Sequence, residues 1–129
     1  MTVTVAALAA LLIQSSDSHW FDTRLDRGWT FLIANTTGES AVLTREGPRH
    51  SMIWARTENE TPHNGTSSSM ALYEARCSDG MLRQLQYTAY AEPNLEGKSR
   101  SSDTPLNWTY PGPGTIGQAI FDRACGLEE

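Results

Sequence analysis

The fold is decided by the stretch Ser69-Met-Ala-Leu-Tyr-Glu-Ala-Arg-Cys77-Ser-Asp-Gly-Met81, which opens the second half of the chain. Side chains alternate along an extended strand, so Ser69 to Cys77 presents a face made of Ala71, Tyr73, Ala75 and Cys77. The following run, Met81 to Ala91, has the same strand composition. Its alternation predicts one face of Arg83, Leu85, Tyr87 and Ala89. The connection Ser78-Asp79-Gly80 is short enough to join the two strands as an antiparallel hairpin.

A short helix is predicted at the C-terminal end of this stretch. Pro111-Gly-Pro-Gly114 turns the chain, and Thr115-Ile-Gly-Gln118 fits a capping box, with Gln118 reaching back to Thr115. The helix then places Ile116, Ile120 and Ala124 on one stripe, and Gly126 is a suitable stop. About three turns of helix are not stable alone, so we expect this helix to pack on the sheet.

The chain contains only two cysteines, Cys77 and Cys125. One intrachain bridge is available, and it would clamp the final helix onto a strand. Closing a loop of this length stabilises the fold by about 4 kcal/mol in the chain-entropy model. Their wide spacing does not fit a metal site. We favour the disulfide over the alternative, which is two buried free thiols.

Composition limits the classes of function. A chain of 129 residues with 19% charged residues is one soluble domain, and its net charge of −5 argues against nucleic-acid binding. No apolar run is long enough for a transmembrane helix. The chain has no glycine-rich phosphate loop, no Gly-x-Ser-x-Gly and no histidine pair at metal-binding spacing. We therefore predict no cofactor, no metal site and no catalytic residues.

The N-terminal segment, residues 1–28, is predicted to lie outside the folded domain. Thr2 to Ile13 is apolar and has the length of a signal peptide's hydrophobic region, which favours export. No lysine or arginine precedes it, so two alternatives stay open: a retained N-terminal helix or strand, and a misplaced start codon. A connector, His19 to Arg27, leads into the domain at residues 29–126.

Three further strands are predicted ahead of the hairpin, at Trp29–Ala34, Ser40–Arg45 and His50–Thr57. In the third, Met52 and Trp54 share one face, and Ile53 and Ala55 share the other. Glu58 to Ser68 has no apolar residue and is predicted to be a mobile surface loop. The fold class is therefore α+β: an antiparallel sheet of about five or six strands with one C-terminal helix packed on it.

An ordered set of segments resembles the bacterial surface-adhesin E family. The set is Arg45-Glu-Gly-Pro, Ser51-Met-Ile-Trp54, Glu74-Ala-Arg-Cys77, Leu85-Gln-Tyr-Thr-Ala-Tyr90, Trp108, and Pro111-Gly-Pro-Gly-Thr-Ile-Gly-Gln-Ala-Ile-Phe-Asp-Arg-Ala-Cys125. The likeness covers residues 29 to 126. It implies a sheet with one C-terminal helix held by the disulfide. The chain departs from the family in its first 28 residues and in having Val42-Leu43 where the family often carries an acidic pair.

The resemblance implies an exported, noncatalytic protein-binding module at the cell surface, in the periplasm or secreted, that contacts host matrix or plasma proteins. The candidate contact residues are Glu96, Lys98 and Arg100, in a predicted loop from Glu92 to Asp103. An ordinary solvated loop is the alternative. Candidate aromatic anchors are Tyr87, Tyr90, Trp108 and Tyr110, which also suit core packing. Exposed sheet edges make a homodimer plausible.

Two other classes remain open. A small secreted or periplasmic enzyme, or a structural envelope protein, would share the same composition. A eukaryotic secreted glycoprotein is the third class, because four acceptor patterns occur, at Asn35, Asn59, Asn64 and Asn107.

Overall fold

Six antiparallel strands in sequence order form the sheet of the computed structural model, which describes residues 28–34 and 40–127. The elements are β1 (Thr30–Ala34), β2 (Ser40–Glu46), β3 (Met52–His63), β4 (Thr66–Arg76), β5 (Met81–Glu92), β6 (Glu96–Ser102) and the helix α1 (Ile116–Ala124). Each strand pairs with the next one along the chain. This confirms the predicted antiparallel sheet with one C-terminal helix. The predicted signal peptide and connector, and the acceptor pattern at Asn35, lie outside the described residues.

The prediction of a mobile loop from Glu58 to Ser68 is wrong. β3 continues to His63 and β4 begins at Thr66, so these residues form a hairpin closed by Asn64 and Gly65 alone. Both turn residues have positive φ, 52° and 79°, as a type I′ turn requires. The strand pairing here is made by polar residues, which is why the absence of apolar side chains was misleading.

The predicted hairpin between β4 and β5 is confirmed, with residues 77–80 as its connection. The backbone amide of Gly80 donates to the carbonyl of Arg76 at 2.9 Å. The predicted face of β5 is wrong at one end, however. Pairing passes from Leu72–Gln86 to Tyr73–Gln84, which leaves Leu85 as an extra, bulged residue. The bulge turns Arg83 to the face opposite that of Tyr87.

The helix begins as predicted at the cap residue Thr115, whose hydroxyl accepts from the Gln118 amide at 3.2 Å. Only half of the predicted capping box forms. The Gln118 side chain donates forward to Asp122 at 2.8 Å instead of reaching back. Ile120 is buried, but Ile116 is 45% exposed, so the predicted apolar stripe begins one turn later than expected.

Both faces of the sheet carry an apolar cluster. The helix-side cluster consists of Val42, Ile53, Ala55, Ala75, Leu82, Ile120 and Phe121. The cluster on the opposite face consists of Trp29, Ala41 and Leu43, against which Trp54, Met70 and Leu95 pack. The prediction that Ile53 and Trp54 serve different faces is therefore confirmed.

The disulfide Cys77–Cys125 is present, with the two Cα atoms 5.7 Å apart. It joins the end of β4 to the end of α1, as predicted, so both cysteines are bridged. Within the described part of the chain, no helix reaches the length and apolarity that crossing a membrane requires.

Candidate binding face

The predicted contact residues lie on a strand and not in a loop. Glu96, Lys98 and Arg100 belong to β6, which pairs with β5 from Tyr87 to Glu92. All seven residues of β6 are exposed. The strand is the last in the sheet, so among the described residues no strand pairs with its outer side. Pairing with β5 therefore holds these charges in a defined geometry along an open edge.

The sheet face that carries α1 is only partly covered by the helix. Beyond the helix, towards the Asn64–Gly65 turn, two adjoining cavities of about 460 and 230 Å³ lie on this face. Both are lined by Asn64, Thr66 and Arg100. We call the two cavities together the polar groove, after the larger one, whose lining residues are all polar; the smaller one is lined by Ala89 and Ala91 as well. Lys98 lines the smaller cavity, but Glu96 lines neither.

Arg100 is positioned by a direct contact across the groove. Its Nη2 donates to Oγ1 of Thr66 at 3.2 Å, although the two residues are 34 positions apart in the chain. The carbonyl of Thr66 accepts from the side-chain amide of Asn59 at 3.3 Å. The β3–β4 hairpin thus supports the guanidinium that β6 presents. Sequence reasoning missed Thr66 and Asn59, although the Asn-Gly pair between them was a signal for this hairpin.

The turn from β5 into β6 is anchored on the opposite face of the sheet. The backbone amide of Asn94 donates to both carboxylate oxygens of Glu58, at 3.1 and 3.2 Å. Ser68 donates its hydroxyl to the carbonyl of Glu92 at 2.7 Å and accepts from the amide of Leu95 at 2.9 Å. These contacts hold Asn94 and Leu95 in the left-handed region, at φ 65° and 61°. Such a conformation persists in non-glycine residues only where surrounding contacts enforce it.

Glu58 and Arg56 form a buried ion pair beneath this turn. Arg56 Nε lies 2.7 Å from Glu58 Oε2, and the two side chains are 3% and 0% exposed. Arg56 also donates to the side-chain oxygen of Asn94 at 3.1 Å. Burial raises the pKa of the Glu58 carboxyl, while the Asn94 amide and Arg56 oppose that rise. The pair is therefore part of the anchor for β6 and is closed to an external ligand.

The aromatic candidates fall in separate places. Tyr87 is half-buried and lines the larger cavity of the polar groove, and Tyr90 lines the smaller one. The ring centre of Trp108 lies 4.3 Å from the guanidinium carbon of Arg76 and 4.6 Å from that of Arg83. These stacking contacts fix the segment after β6 onto the sheet. Tyr110 is 70% exposed and lies outside the groove.

A larger cavity, of about 740 Å³, lies at the opposite end of the sheet, where β2 turns into β3 and α1 ends. Its cationic lining includes Arg45 and Arg123. Arg45 stacks on Trp29, 4.5 Å from the ring centre, and Arg123 donates to Phe31 O and Thr44 Oγ1 at 2.9 and 3.0 Å. These arginines tie the helix and the first strands together.

The described residues do not bring together a set of side chains that could bind a metal ion. His50 precedes β3 and His63 ends it, so the two imidazoles lie at opposite ends of a twelve-residue strand. Within the parts of the chain that the structure covers, no group of three or more His, Cys, Asp and Glu side chains could hold a metal ion. His19 lies outside these parts.

Comparison with known proteins supports the family that the residue pattern suggested. A family profile described as surface-adhesin protein E matches residues 34–126, which include five whole strands, the helix and both cysteines. No curated protein and no solved structure matches the chain. The matched region is well over half of the 129 residues. The chain therefore belongs to the surface-adhesin protein E family.

Proposed function

We propose that this protein is an exported, noncatalytic bacterial module that binds a protein partner through β6, with Lys98 and Arg100 as the principal contacts. The module comprises residues 29–126. The observation that carries the proposal is the geometry of β6: an exposed edge strand with two cations fixed by pairing to β5. Membership of a surface-adhesin family supports an exported or surface location. Within that location, the periplasm, the outer surface and secretion are all compatible with the proposal.

Two kinds of contact are available at β6. Its outer backbone groups can pair with an extended segment of a partner, which is a recurring mode of peptide recognition. Lys98 and Arg100 attract an acidic partner, against the background of a chain whose net charge is −5. We place Glu96, opposite Glu92 at the start of the strand, at the rim of this contact, where it selects against partners with acidic groups at that position.

Host matrix and plasma proteins are the partner class that the family resemblance implies, and we propose them as the first to be tested. Because both cysteines are held in the disulfide, neither thiol is available as a catalytic nucleophile. A homodimer is the second candidate, because an open polar edge can also pair with the same edge of another copy.

The test is capture of immobilised matrix and plasma proteins by the purified domain. Lys98→Glu with Arg100→Glu should weaken capture at least tenfold, because it reverses both cations on the edge. Arg49→Glu is the matched control for Arg100→Glu alone, since each changes the net charge by the same amount and Arg49 is exposed away from β6. Equal loss in these two single variants would point to nonspecific charge, and unchanged binding in the double variant would reject β6 as the contact. Sedimentation equilibrium on the same variants tests the dimer.

Export has its own measurement. Intact mass of the protein recovered from its native cell envelope, with and without thiol alkylation, reports cleavage of the N-terminal segment. A truncated, unalkylated species supports export. A full-length species with two alkylated thiols would place the protein in a reducing compartment and remove the adhesin proposal.

A further inference from the structure

We propose that the polar groove binds an acidic sugar, whose carboxylate pairs with Arg100. This deepens the proposed function, on which it rests, by naming the chemistry that a surface partner would present to this face. Uronic acids and sialic acids share this chemistry.

The lining of the larger cavity suits a polyhydroxylated ligand. All eight of its lining residues are polar: Thr57, Asn59, His63, Asn64, Thr66, Ser69, Tyr87 and Arg100. Hydroxyl and amide side chains both donate and accept hydrogen bonds, as sugar hydroxyls do. The apolar side chains that anchor a partner protein in a pocket would meet no aliphatic residue in this lining. The size of about 460 Å³ falls in the range typical of small-ligand sites.

The charge of the groove suits an anion. Arg100 lines both cavities, and Lys98 lines the smaller one, while none of the described lining residues is Asp or Glu. A guanidinium matches a carboxylate with two parallel hydrogen bonds, which supplies direction as well as charge. A neutral sugar would leave this match unused.

The aromatic ring of Tyr87 and the paired strands complete the proposed site. Tyr87, half-buried beside Arg100, offers a flat apolar surface with a polar tip, which suits a sugar ring with one apolar and one hydroxylated side. The hydrogen bond from Arg100 to Thr66 orients the guanidinium before any ligand arrives. Because these residues lie on paired strands and not on loose loops, little conformational freedom is lost on binding.

Titration calorimetry on the full chain tests the proposal with four probes: an unsulfated hyaluronan tetrasaccharide, 3′-sialyllactose, neutral lactose and a hexaglutamate peptide. We expect at least one carboxylated sugar to bind and lactose not to bind. Binding of the tetrasaccharide assigns a uronic acid, and binding of sialyllactose assigns a sialic acid. Arg100→Gln should weaken binding at least tenfold. Thr57→Val, which removes one hydroxyl and keeps the shape, should weaken it several-fold. Arg49→Gln is the charge-matched control at the far end of the sheet and should bind as the wild type.

Three results would overturn the sugar site: binding of neither carboxylated sugar, equal binding of lactose, or binding by hexaglutamate alone. Equal affinity in Arg100→Gln would also overturn it. Its failure is distinguishable from failure of the proposed function. Capture of a matrix protein that persists after enzymatic removal of its acidic sugars, with no free sugar bound, leaves the protein contact standing and rejects this site. Sugar binding without capture of any matrix or plasma protein does the reverse.

Discussion

Glu58 and Asn94 are joined across the sheet although 36 residues separate them in the chain. The Asn94 amide donates to both oxygens of a carboxylate that is itself fully buried. Asn94 lies in the turn that leads into β6, so this contact places the edge strand relative to β3. The proposed binding face therefore depends on a polar anchor on the side of the sheet opposite the groove.

Ser68 is the second half of this anchor, and its removal gives the first prediction. Ser68→Ala leaves the Leu95 amide and the Glu92 carbonyl without their partner in a position that is 0% exposed. We expect the free energy of unfolding to fall by about 1–3 kcal/mol, as for other buried groups that lose a hydrogen-bond partner. Chemical denaturation measures this. Ser99→Ala, on the exposed strand β6, is the control and should change stability little. Equal stability of both variants would mean that the turn is held by Leu95 packing alone.

The raised pKa of Glu58 gives a dependence of stability on pH. Between the usual carboxyl value near 4.5 and the raised folded value, the folded protein holds a proton that the unfolded chain has released. The contribution of Glu58 is therefore complete below the usual value and is lost as the pH rises through the folded one. Its slope is at most about 1.4 kcal/mol per pH unit.

Glu58→Gln isolates this contribution, because the amide keeps the shape and cannot titrate. The free energy of unfolding of the wild type, minus that of the variant, should decrease as the pH rises from 4 towards neutrality. Denaturation curves of both proteins at a series of pH values measure the difference. An increase with pH would show that the attraction of Arg56 outweighs burial and lowers the pKa.

The parts of the fold that the sequence predicts well are those with local signals. Thr115 is a typical helix cap, and Gly80 suits the tight connection after β4. Two cysteines allow one intrachain disulfide only. Each of these signals acts over a few residues or by simple counting. The residue pattern was therefore enough to predict the helix and the β4–β5 hairpin.

The contacts of the candidate site could not be predicted from the sequence, because the pairing register of the strands is what brings its residues together. Glu58 and Ser68 are opposite partners across β3 and β4, and both are buried under a turn that begins far along the chain. Polar composition alone suggests that these residues are exposed to solvent. It does not show that the turn containing Asn94 covers them. Arg100 illustrates the same limit: the sequence offers it as a candidate contact residue, but its contact with Thr66 follows from strand order.

The Asn64–Gly65 turn gives a prediction for the hairpin that supports the groove. Gly65 has φ 79°, and an added Cβ would meet nothing within 4 Å, so Gly65→Ala tests backbone conformation without a steric clash. We expect a loss of about 1–2 kcal/mol, which is the cost of the left-handed conformation for an L-residue. Gly112→Ala, at a glycine without positive φ whose nearest contact would be 3.4 Å away, is the control. Equal melting temperatures for the two variants would show that the turn relaxes to another type.

The disulfide gives the largest predicted effect. Cys77→Ser with Cys125→Ser opens a loop of 48 residues, and the chain-entropy model assigns about 4 kcal/mol to its closure. The loss should appear in the unfolding of the whole domain, because Ile120 and Phe121 of the tethered helix complete the core over β3 and β4. Thermal unfolding with and without reductant measures it on the wild type, and the double variant, which should be insensitive to reductant, is the control. Hydrogen exchange locates the effect: the global loss accelerates all amides, but those of α1 should accelerate more than those of the β3–β4 hairpin, because the freed helix can also undock locally while the polar anchor still holds the hairpin. Uniform acceleration across the sheet and the helix would contradict this separation, and it would mean that the anchor around Glu58 is stable only while the helix is docked.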